Sequence, residues 1–316
     1  MYMKSKNLTI GIIILIIIGL VGYFVTQSST NTAINEPTPT EEQQIPVEPD
    51  GGIGDGAEPL DELLEANRGD ETIIGTSVEG NNIIAYHFGE GDTELLFIGG
   101  VHGGYSWSTA ALGYELVDYL DENPDVVPEG VMVTIIPVAN PDGLELAVGT
   151  IGRFSSTLAN ALTSEKRVAA RFNANEVDLN RNFDCEWEAE GTWQSRTVSG
   201  GDARFSEPEA AAIRDYVNTY APDAAVVWFS SEGKVYPSAC GDDPSNESVA
   251  LAATFATAAG YPAEAEFDAY AITGDMVNWM ASQDIPAISV LLTSHNNTEF
   301  NKNLAGVEAV IGAYAE

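Results

Sequence analysis

A single histidine stands where the sequence predicts the end of a buried strand. The stretch 94–107 begins with apolar residues, passes through glycines on both sides of His102, and continues into a helical pattern. Such a run is typical of a parallel strand that delivers a side chain to the carboxyl edge of the sheet, where ligands of open α/β sheets bind. His102 is therefore the first candidate functional residue, and metal ligation is the first chemistry to consider.

One imidazole cannot hold a catalytic zinc ion, because such a site needs further protein ligands and an open position for water. The chain contains only two other histidines, His87 and His295. His295 follows the last predicted strand and could approach His102, while Glu232 or Asp275 could add an oxygen ligand. One hypothesis is therefore a metal site rearranged around these groups. The other is that His102 forms hydrogen bonds in a polar pocket without a metal.

Strands and helices alternate along the part of the chain that must position these residues. The predicted strands are 72–78, 82–88, 95–98, 131–138, 224–229 and 287–292. The predicted helices are 107–120, 206–217 with Ser206 as the cap, 246–259, 274–282 and 304–314. A turn at Asn140 and a long irregular region separate the two halves. This alternation implies an α/β fold with a doubly wound, mixed and mostly parallel sheet that has helices on both faces.

The amino-terminal segment has a different character. Residues 8–25 carry no charge, Lys4 and Lys6 precede them, and no further basic residue occurs before Arg68. We expect residues 1–7 in the cytoplasm, 8–25 as a single transmembrane anchor, 26–70 as an acidic linker rich in Pro, Thr and Glu, and 71–316 as an extracellular domain. If the segment is instead a cleaved signal, the domain is secreted.

Charge and cysteine content limit the possible partners and environment. The formal net charge of −35 repels nucleic acid and anionic lipid head groups, so we expect no nucleic acid partner and membrane contact through the amino-terminal helix only. The two cysteines, Cys185 and Cys240, both follow the predicted anchor. In an oxidising compartment such a pair is expected to form a disulfide.

Seven short motifs occur in one order along the domain. They are a strand that ends in His102-Gly, Asn140-Pro-Asp-Gly, Val177-Asp-Leu-Asn-Arg-Asn-Phe, Phe205-Ser-Glu-Pro-Glu, a strand followed by Glu232-Gly-Lys-Val-Tyr, Tyr270-Ala-Ile-Thr-Gly-Asp, and Ile285-Pro-Ala-Ile-Ser-Val. In this order they resemble the zinc carboxypeptidases related to carboxypeptidase A, over about residues 71–315. The resemblance implies the fold of that family and a peptide substrate with a free terminal carboxylate.

The resemblance also implies a ligand set, and most of it is replaced here. His102 matches the first zinc ligand, whereas the glutamate ligand falls on Tyr105, or on Ser106 if the turn is one residue longer. The second histidine ligand falls on Phe229, and the general base falls on Leu291. No catalytic group of the family is therefore retained, and we expect zinc to be absent or weakly bound.

The residues that read the substrate carboxylate in the family are better matched. Asn180 and Arg181 match its Asn-Arg pair, Tyr270 matches its tyrosine, and Arg171 is the candidate for its further arginine, with Arg167 as the competitor. Tyr270 could equally serve in packing. Arg181 could instead form a structural ion pair with an acidic residue close to it in the chain: Asp178, Asp184 or Glu186.

These observations favour a membrane-tethered extracellular domain of the metallocarboxypeptidase family that has lost its activity and binds the carboxyl ends of peptides, including cell-wall peptides. One alternative is an active zinc metallocarboxypeptidase that removes C-terminal residues through an atypical ligand set. The other is a structural or adhesive surface domain without a small ligand.

Overall fold

The computed structural model of the chain describes residues 68–241 and 243–315. The predicted cytoplasmic terminus, the predicted anchor and nearly all of the predicted linker lie outside these ranges. Within them, no helix is both long enough and apolar enough to cross a membrane.

Seven strands form one mixed sheet in the order β1-β2-β4-β3-β7-β9-β8. The strands are β1 Glu71–Thr76, β2 Asn82–Phe88, β3 Thr93–Ile98, β4 Val131–Ile136, β7 Ala224–Ser230, β8 Lys234–Pro237 and β9 Ala287–Leu292. The central strands β4, β3, β7 and β9 are parallel, while the pairings at both margins are antiparallel. The sheet is mixed, as predicted, but parallel and antiparallel pairings are equal in number, so "mostly parallel" holds only for its centre.

Helices cover both faces of the sheet because its central strands are apolar on both sides. On β3, Leu95 and Phe97 belong to one core cluster, whereas Leu96 and Ile98 belong to the other. The first cluster is covered by α1 Trp107–Glu122, α6 Asn246–Ala259 and α8 Phe300–Tyr314. The second is covered by α5 Pro208–Tyr220 and α7 Met276–Ser282. This arrangement buries both sides of β3, β7 and β9 and holds their carboxyl ends in place.

The region between β4 and α5 contains more regular structure than predicted. It holds the helices α2 Pro141–Val148, α3 Ser156–Asn160 and α4 Ser164–Ala169, and a hairpin of β5 Glu190–Trp193 and β6 Arg196–Ser199. The predicted turn at Asn140 is the start of α2, since the Asn140 side chain accepts a hydrogen bond from Gly143 N at 2.8 Å and proline occupies the first helical position.

The predicted cap of α5 is wrong by one residue. The cap residue is Glu207, without a side-chain cap bond, because the Ser206 hydroxyl instead contacts the side chains of Glu207 and Asn182. The predicted helix 274–282 begins later, at Met276, since Asp275 is its cap. The predicted bounds of β2, β9 and α6 are confirmed.

The predicted disulfide is confirmed. Cys185 and Cys240 are bonded, with their Cα atoms 5.7 Å apart. Cys185 follows the turn that carries Arg181, and Cys240 lies in the loop between β8 and α6. The bond therefore ties together two segments that approach the carboxyl edge of the sheet.

Candidate functional site

The carboxyl ends of β3, β7 and β9 open into one cavity of about 690 Å³. Its lining contains most of the candidate residues: His102, Arg171, Asn180, Arg181, Phe229, Glu232, Tyr270, Asp275 and Leu291. Four other candidates, Tyr105, Ser106, Arg167 and His295, are not in the lining. The fold thus gathers the residues predicted to read a carboxylate around His102.

His102 lies against an apolar wall. Its side chain is buried, and its ring centroid is 5.5 Å from that of Phe229. Nε2 is 3.4 Å from Asp178 Oδ1, which is too long for a well-formed hydrogen bond, and neither ring nitrogen has a hydrogen-bond partner among the described residues. Burial, followed by the charge of Arg171, lowers the pKa of His102 to about 4. The imidazole is therefore neutral near pH 7.

Arg171 is held by a buried carboxylate. Its Nε and Nη2 atoms donate to Asp178 Oδ2 at 3.0 and 2.7 Å, and both side chains are almost fully buried. Burial acts to raise the pKa of Asp178, but the charge of Arg171, the proximity of His102 and the more distant charge of Arg181 together hold that pKa well below its usual range. Asp178 is therefore ionised and neutralises Arg171.

Arg181 lies on the short turn Leu179–Arg181, which Asp178 caps by accepting a hydrogen bond from Asn180 N at 3.2 Å. Its guanidinium is buried and donates to backbone carbonyls, to Asn180 O at 2.6 Å and to Thr192 O at 2.8 and 3.3 Å, and the Tyr270 hydroxyl is a further partner. It takes part in none of the ion pairs found within 68–241 and 243–315.

The ion pairs considered for Arg181 from the sequence are thus not formed. Asp178 binds Arg171, and Asp184 binds Arg204 at 2.8 Å on the surface. Glu186 is exposed at the cavity margin. A buried guanidinium without a carboxylate partner is costly unless a ligand supplies one. Arg181 is therefore a buried arginine of this cavity that forms no ion pair among the described residues.

Asn180, Asp275 and Tyr270 complete the surroundings of Arg181. Asn180 Nδ2 donates to Asp275 Oδ2 at 2.6 Å, while Asp275 Oδ1 accepts from Asn278 N at 2.9 Å as the cap of α7. Burial raises the pKa of Asp275. The Tyr270 ring centroid is 6.0 Å from the Arg181 guanidinium carbon, and burial raises the pKa of its hydroxyl, which stays protonated. Tyr270 can thus donate a hydrogen bond to a ligand beside Arg181.

Glycine is required where α7 meets this turn. Gly274 has φ +61, and a Cβ atom on it would lie 2.1 Å from Arg181 O. Gly274 also exchanges backbone hydrogen bonds with Phe183 and Cys185. The position of Arg181 is therefore fixed by close backbone packing as well as by its own hydrogen bonds.

His295 is engaged away from His102. Its Nδ1 is 2.6 Å from Ser230 Oγ, its Nε2 is 3.3 Å from Ser231 Oγ, and its ring lies 4.6 Å from that of Tyr105. Ser230 Oγ also lies 2.9 Å from Ser106 Oγ. Burial, followed by the charge of Arg167, lowers the pKa of His295 to about 4. This cluster of serines around a neutral imidazole was not predicted from the sequence.

These side chains do not fit a zinc ion. A zinc site needs at least three converging donors, and the part of the chain that the structure describes contains no group of three His, Cys, Asp or Glu side chains able to hold a metal. Phe229 occupies the strand end beside His102, and Leu291 lines the cavity. Of the possible substitutes, Asp275 is engaged as a helix cap, Glu232 lies 3.2 Å from Lys234 Nζ, and His295 contacts serines.

The comparison with known families agrees with this architecture. Residues 65–302 match the zinc carboxypeptidase family profile. The chain belongs to this family. Zinc is the cofactor of the family, and the donor set described above is therefore a departure from its chemistry.

The following relatives and structures are similar to this chain but distant in sequence. A gamma-D-glutamyl-L-diamino acid endopeptidase of Lysinibacillus sphaericus is 30% identical over 112 residues, which are 33% of this chain and only 28% of that protein. Bovine thrombin-activatable fibrinolysis inhibitor superposes with a TM-score of 0.63 at 18% identity, covering 81% of this chain and 94% of the other. Murein-tripeptide amidase of Escherichia coli O157 gives 0.55 at 20% identity, covering 79% and 93%. At these identities the structures establish the fold alone.

Proposed function

We propose that this domain binds the free carboxyl terminus of peptides in the cavity, with Arg181 as the main contact, and that it performs no zinc-dependent hydrolysis. Asn180 and Tyr270 complete the carboxylate site. The single observation that carries the proposal is the buried Arg181 guanidinium, which has no carboxylate partner among the described residues and lines a ligand-sized cavity.

The hydrogen-bond count of Arg181 supports this. A guanidinium carries five N–H donors. Three of them bond the carbonyls of Asn180 and Thr192, and the Tyr270 hydroxyl takes part in a further contact. At least one donor therefore remains for a ligand, and a carboxylate is the acceptor whose charge and geometry match it best.

The cavity contains charges of both signs in a protein that is strongly acidic. The formal net charge is −35, so its surface repels anions at long range. Inside the cavity, Arg171 is balanced by Asp178, the imidazole of His102 is neutral, and Arg181 forms no ion pair among the described residues. Acidic side chains also line the cavity: Glu186, Glu232, Asp243, Glu266 and Asp275. A ligand that has both a carboxylate, which Arg181 can bind, and a positive group, which the acidic residues attract, would fit these charges.

Calorimetric titration of the purified domain tests the binding proposal. We expect short peptides with a free carboxyl terminus to bind, and the same peptides with an amidated terminus to bind at least 10-fold more weakly, because a hydrogen bond to a charged group contributes about 1.5–3 kcal/mol. Arg181→Gln should remove this difference. Arg204→Gln, which alters an exposed arginine paired with Asp184, should preserve it. Equal affinity for acid and amide would overturn the proposal, and no binding of either would favour a structural or adhesive domain.

The choice of peptides follows from the relatives. One is named as a murein-tripeptide amidase and another as a gamma-D-glutamyl-L-diamino acid endopeptidase. We therefore propose cell-wall peptides with a free terminal carboxylate as the first ligands to titrate, together with ordinary peptides of the same length and charge.

The absence of zinc-dependent activity needs its own test. The domain would be purified without chelators, analysed for metals, and incubated with peptides under conditions in which release of C-terminal residues is measured. We expect zinc far below one ion per chain and no release. Stoichiometric zinc, with turnover lost in both His102→Ala and His295→Ala, would establish the alternative of an active enzyme with an atypical ligand set.

The location of the domain is proposed from the sequence. Residues 8–25 are uncharged and follow two lysines, and we propose that they anchor the chain with the domain outside the cell. Protease added to intact cells should remove the domain, and alkaline extraction should leave the full chain in the membrane fraction. A domain protected from protease, or a chain released without its first residues, would contradict this topology.

A further inference from the structure

A second group of reactive side chains lies beside the proposed carboxylate site. Ser230, at the end of β7, lines the cavity, and its Oγ is 2.6 Å from His295 Nδ1. His295 Nε2 is in turn 3.3 Å from Ser231 Oγ, and the Tyr105 ring packs against the imidazole at 4.6 Å. Ser230 Oγ thus contacts one nitrogen of the imidazole, and Ser231 Oγ orients the other. A serine beside a base that is itself held in place is the arrangement of an activated nucleophile.

The attack requires one particular arrangement of the hydrogens. Each hydroxyl has a single hydrogen. In the structure Ser230 Oγ donates to Ser106 Oγ across 2.9 Å. For the attack, that hydrogen must turn to His295 Nδ1, 2.6 Å from Ser230 Oγ, while Nε2–H donates to Ser231. The imidazole is then a neutral base in contact with Ser230, which is the nearer of the two cavity-lining serines that contact it.

We propose that Ser230 and His295 form an acyl-transfer centre in which Ser230 is the nucleophile. Ser230 Oγ attacks the carbonyl carbon of an ester, His295 Nδ1 takes the Ser230 proton, and the bond from carbon to the leaving oxygen breaks. The imidazolium gives that proton to the departing oxygen, or to solvent when a phenolate leaves, and is neutral again. Water then attacks the acylated Ser230, giving one proton to His295, which returns it to Ser230 Oγ as the ester bond breaks. The products are a carboxylic acid and an alcohol or phenol, so the reaction consumes only water.

The partner of His295 limits the substrate class. In serine hydrolases a carboxylate on the second nitrogen stabilises the imidazolium that forms. Here that partner is the neutral hydroxyl of Ser231, which orients the ring without offsetting its charge. The centre should therefore favour activated acyl groups, whose leaving groups depart without needing a proton, over ordinary amides.

Positive charges act on His295. The Arg171 guanidinium carbon is 5.5 Å from the centre of the Tyr105 ring, which itself contacts His295, and after burial the charges of Arg167 and Arg171 both lower the pKa of the imidazole. The same charges disfavour an imidazolium on His295, which again favours substrates with good leaving groups.

Labelling of the whole domain tests the proposal without any peptide ligand. The protein is incubated with p-nitrophenyl acetate, and in parallel with a fluorophosphonate, and the modified residue is located by peptide mass spectrometry. We expect an adduct on Ser230 and its absence in Ser230→Ala. His295→Gln should lower the rate of adduct formation by about 100-fold or more, because general base catalysis contributes at least that much.

The matched control is Ser289→Ala. Ser289 also lines the cavity but has no imidazole partner among the residues described, so its removal should leave the labelling rate unchanged. Thermal unfolding of each variant verifies that it is folded. Ser231→Ala leaves both reacting groups in place, so it should lower the labelling rate less than His295→Gln does. Modification at other residues only, or an equal rate in folded His295→Gln, would overturn the proposal. Because the peptide titrations use no acylating reagent, they can fail or succeed independently.

Discussion

The buried ion pair between Arg171 and Asp178 yields the sharpest prediction on stability. Asp178→Asn keeps the volume of the side chain but removes its charge. The Arg171 guanidinium is 3% exposed and would remain charged without a partner. Removing one member of a buried pair typically costs about 3–5 kcal/mol. We expect the free energy of unfolding to fall by that amount.

The surface pair between Arg204 and Asp184 provides the comparison. Its nitrogen–oxygen distance of 2.8 Å is close to the 2.7 Å of the buried pair, but its side chains are 63% and 41% exposed. Exposed pairs contribute only about 0–1 kcal/mol, so Asp184→Asn should cost less than 1 kcal/mol. The two variants carry the same chemical change. They differ in burial and in the bond that Asp178 accepts from Asn180 N, which an asparagine at 178 can still accept.

Urea unfolding monitored by circular dichroism measures both variants, and pH gives a second test. The pKa of Asp178 is held below its usual range, so the stability it contributes is present above its unfolded pKa of about 4 and is lost as pH falls through the folded pKa. The difference between the parent and Asp178→Asn should therefore be constant from pH 8 to about 5 and shrink below about 4. If Asp178→Asn costs no more than Asp184→Asn at pH 7, burial does not make this pair essential and the reasoning fails.

Three further predictions concern the fold around the site. Reduction of the disulfide should lower the free energy of unfolding by about 4 kcal/mol, the loop-closure value for a separation of 55 residues, and calorimetry with and without reductant would show it. Gly274→Ala should destabilise the domain and weaken the binding of free-acid peptides, because its Cβ atom meets Arg181 O. Gly80→Ala, at φ +81 with open space around it, should lower stability only. Equal binding of free-acid peptides by both variants would argue against the packing explanation. Burial lowers the pKa of His87 to about 4, so the unfolded chain binds one more proton than the folded chain between about pH 6.5 and 4. The parent should therefore lose stability over this pH range more steeply than His87→Gln. Thermal unfolding at several pH values measures this, and parallel pH profiles of the two proteins would contradict it.

The sequence was sufficient for the main features of the fold because its core strands are short apolar runs between polar turns. β9 and α6 have the predicted bounds, since an apolar run and a capped amphipathic pattern are local signals. The helices α2 to α4 have only five to eight residues each, too few for a helical period to emerge. The disulfide was predictable because two cysteines allow only one internal pairing.

The partners of charged residues were harder to predict, because they depend on tertiary contacts. Asp178 lies seven residues after Arg171 and three before Arg181, and from the sequence it was one of three possible partners of Arg181. In the fold it binds Arg171. The contact between Ser230 and His295 joins β7 to the segment after β9, which only the adjacent parallel pairing of these strands brings together. A serine at a predicted strand end was the available signal.

The backbone of one short turn explains why the two cavity arginines differ. Asp178 must accept the Asn180 amide hydrogen to begin the turn that carries Arg181, and this fixes its carboxylate on the side that faces Arg171 and His102. Arg181 lies three residues further on and does not pair with the same carboxylate. Its guanidinium instead donates hydrogen bonds to backbone carbonyls. The carboxylate that caps the turn thus neutralises Arg171, and Arg181 has no ion pair among the described residues. A carboxylate that enters the cavity should therefore bind Arg181, and Arg171 should remain with Asp178.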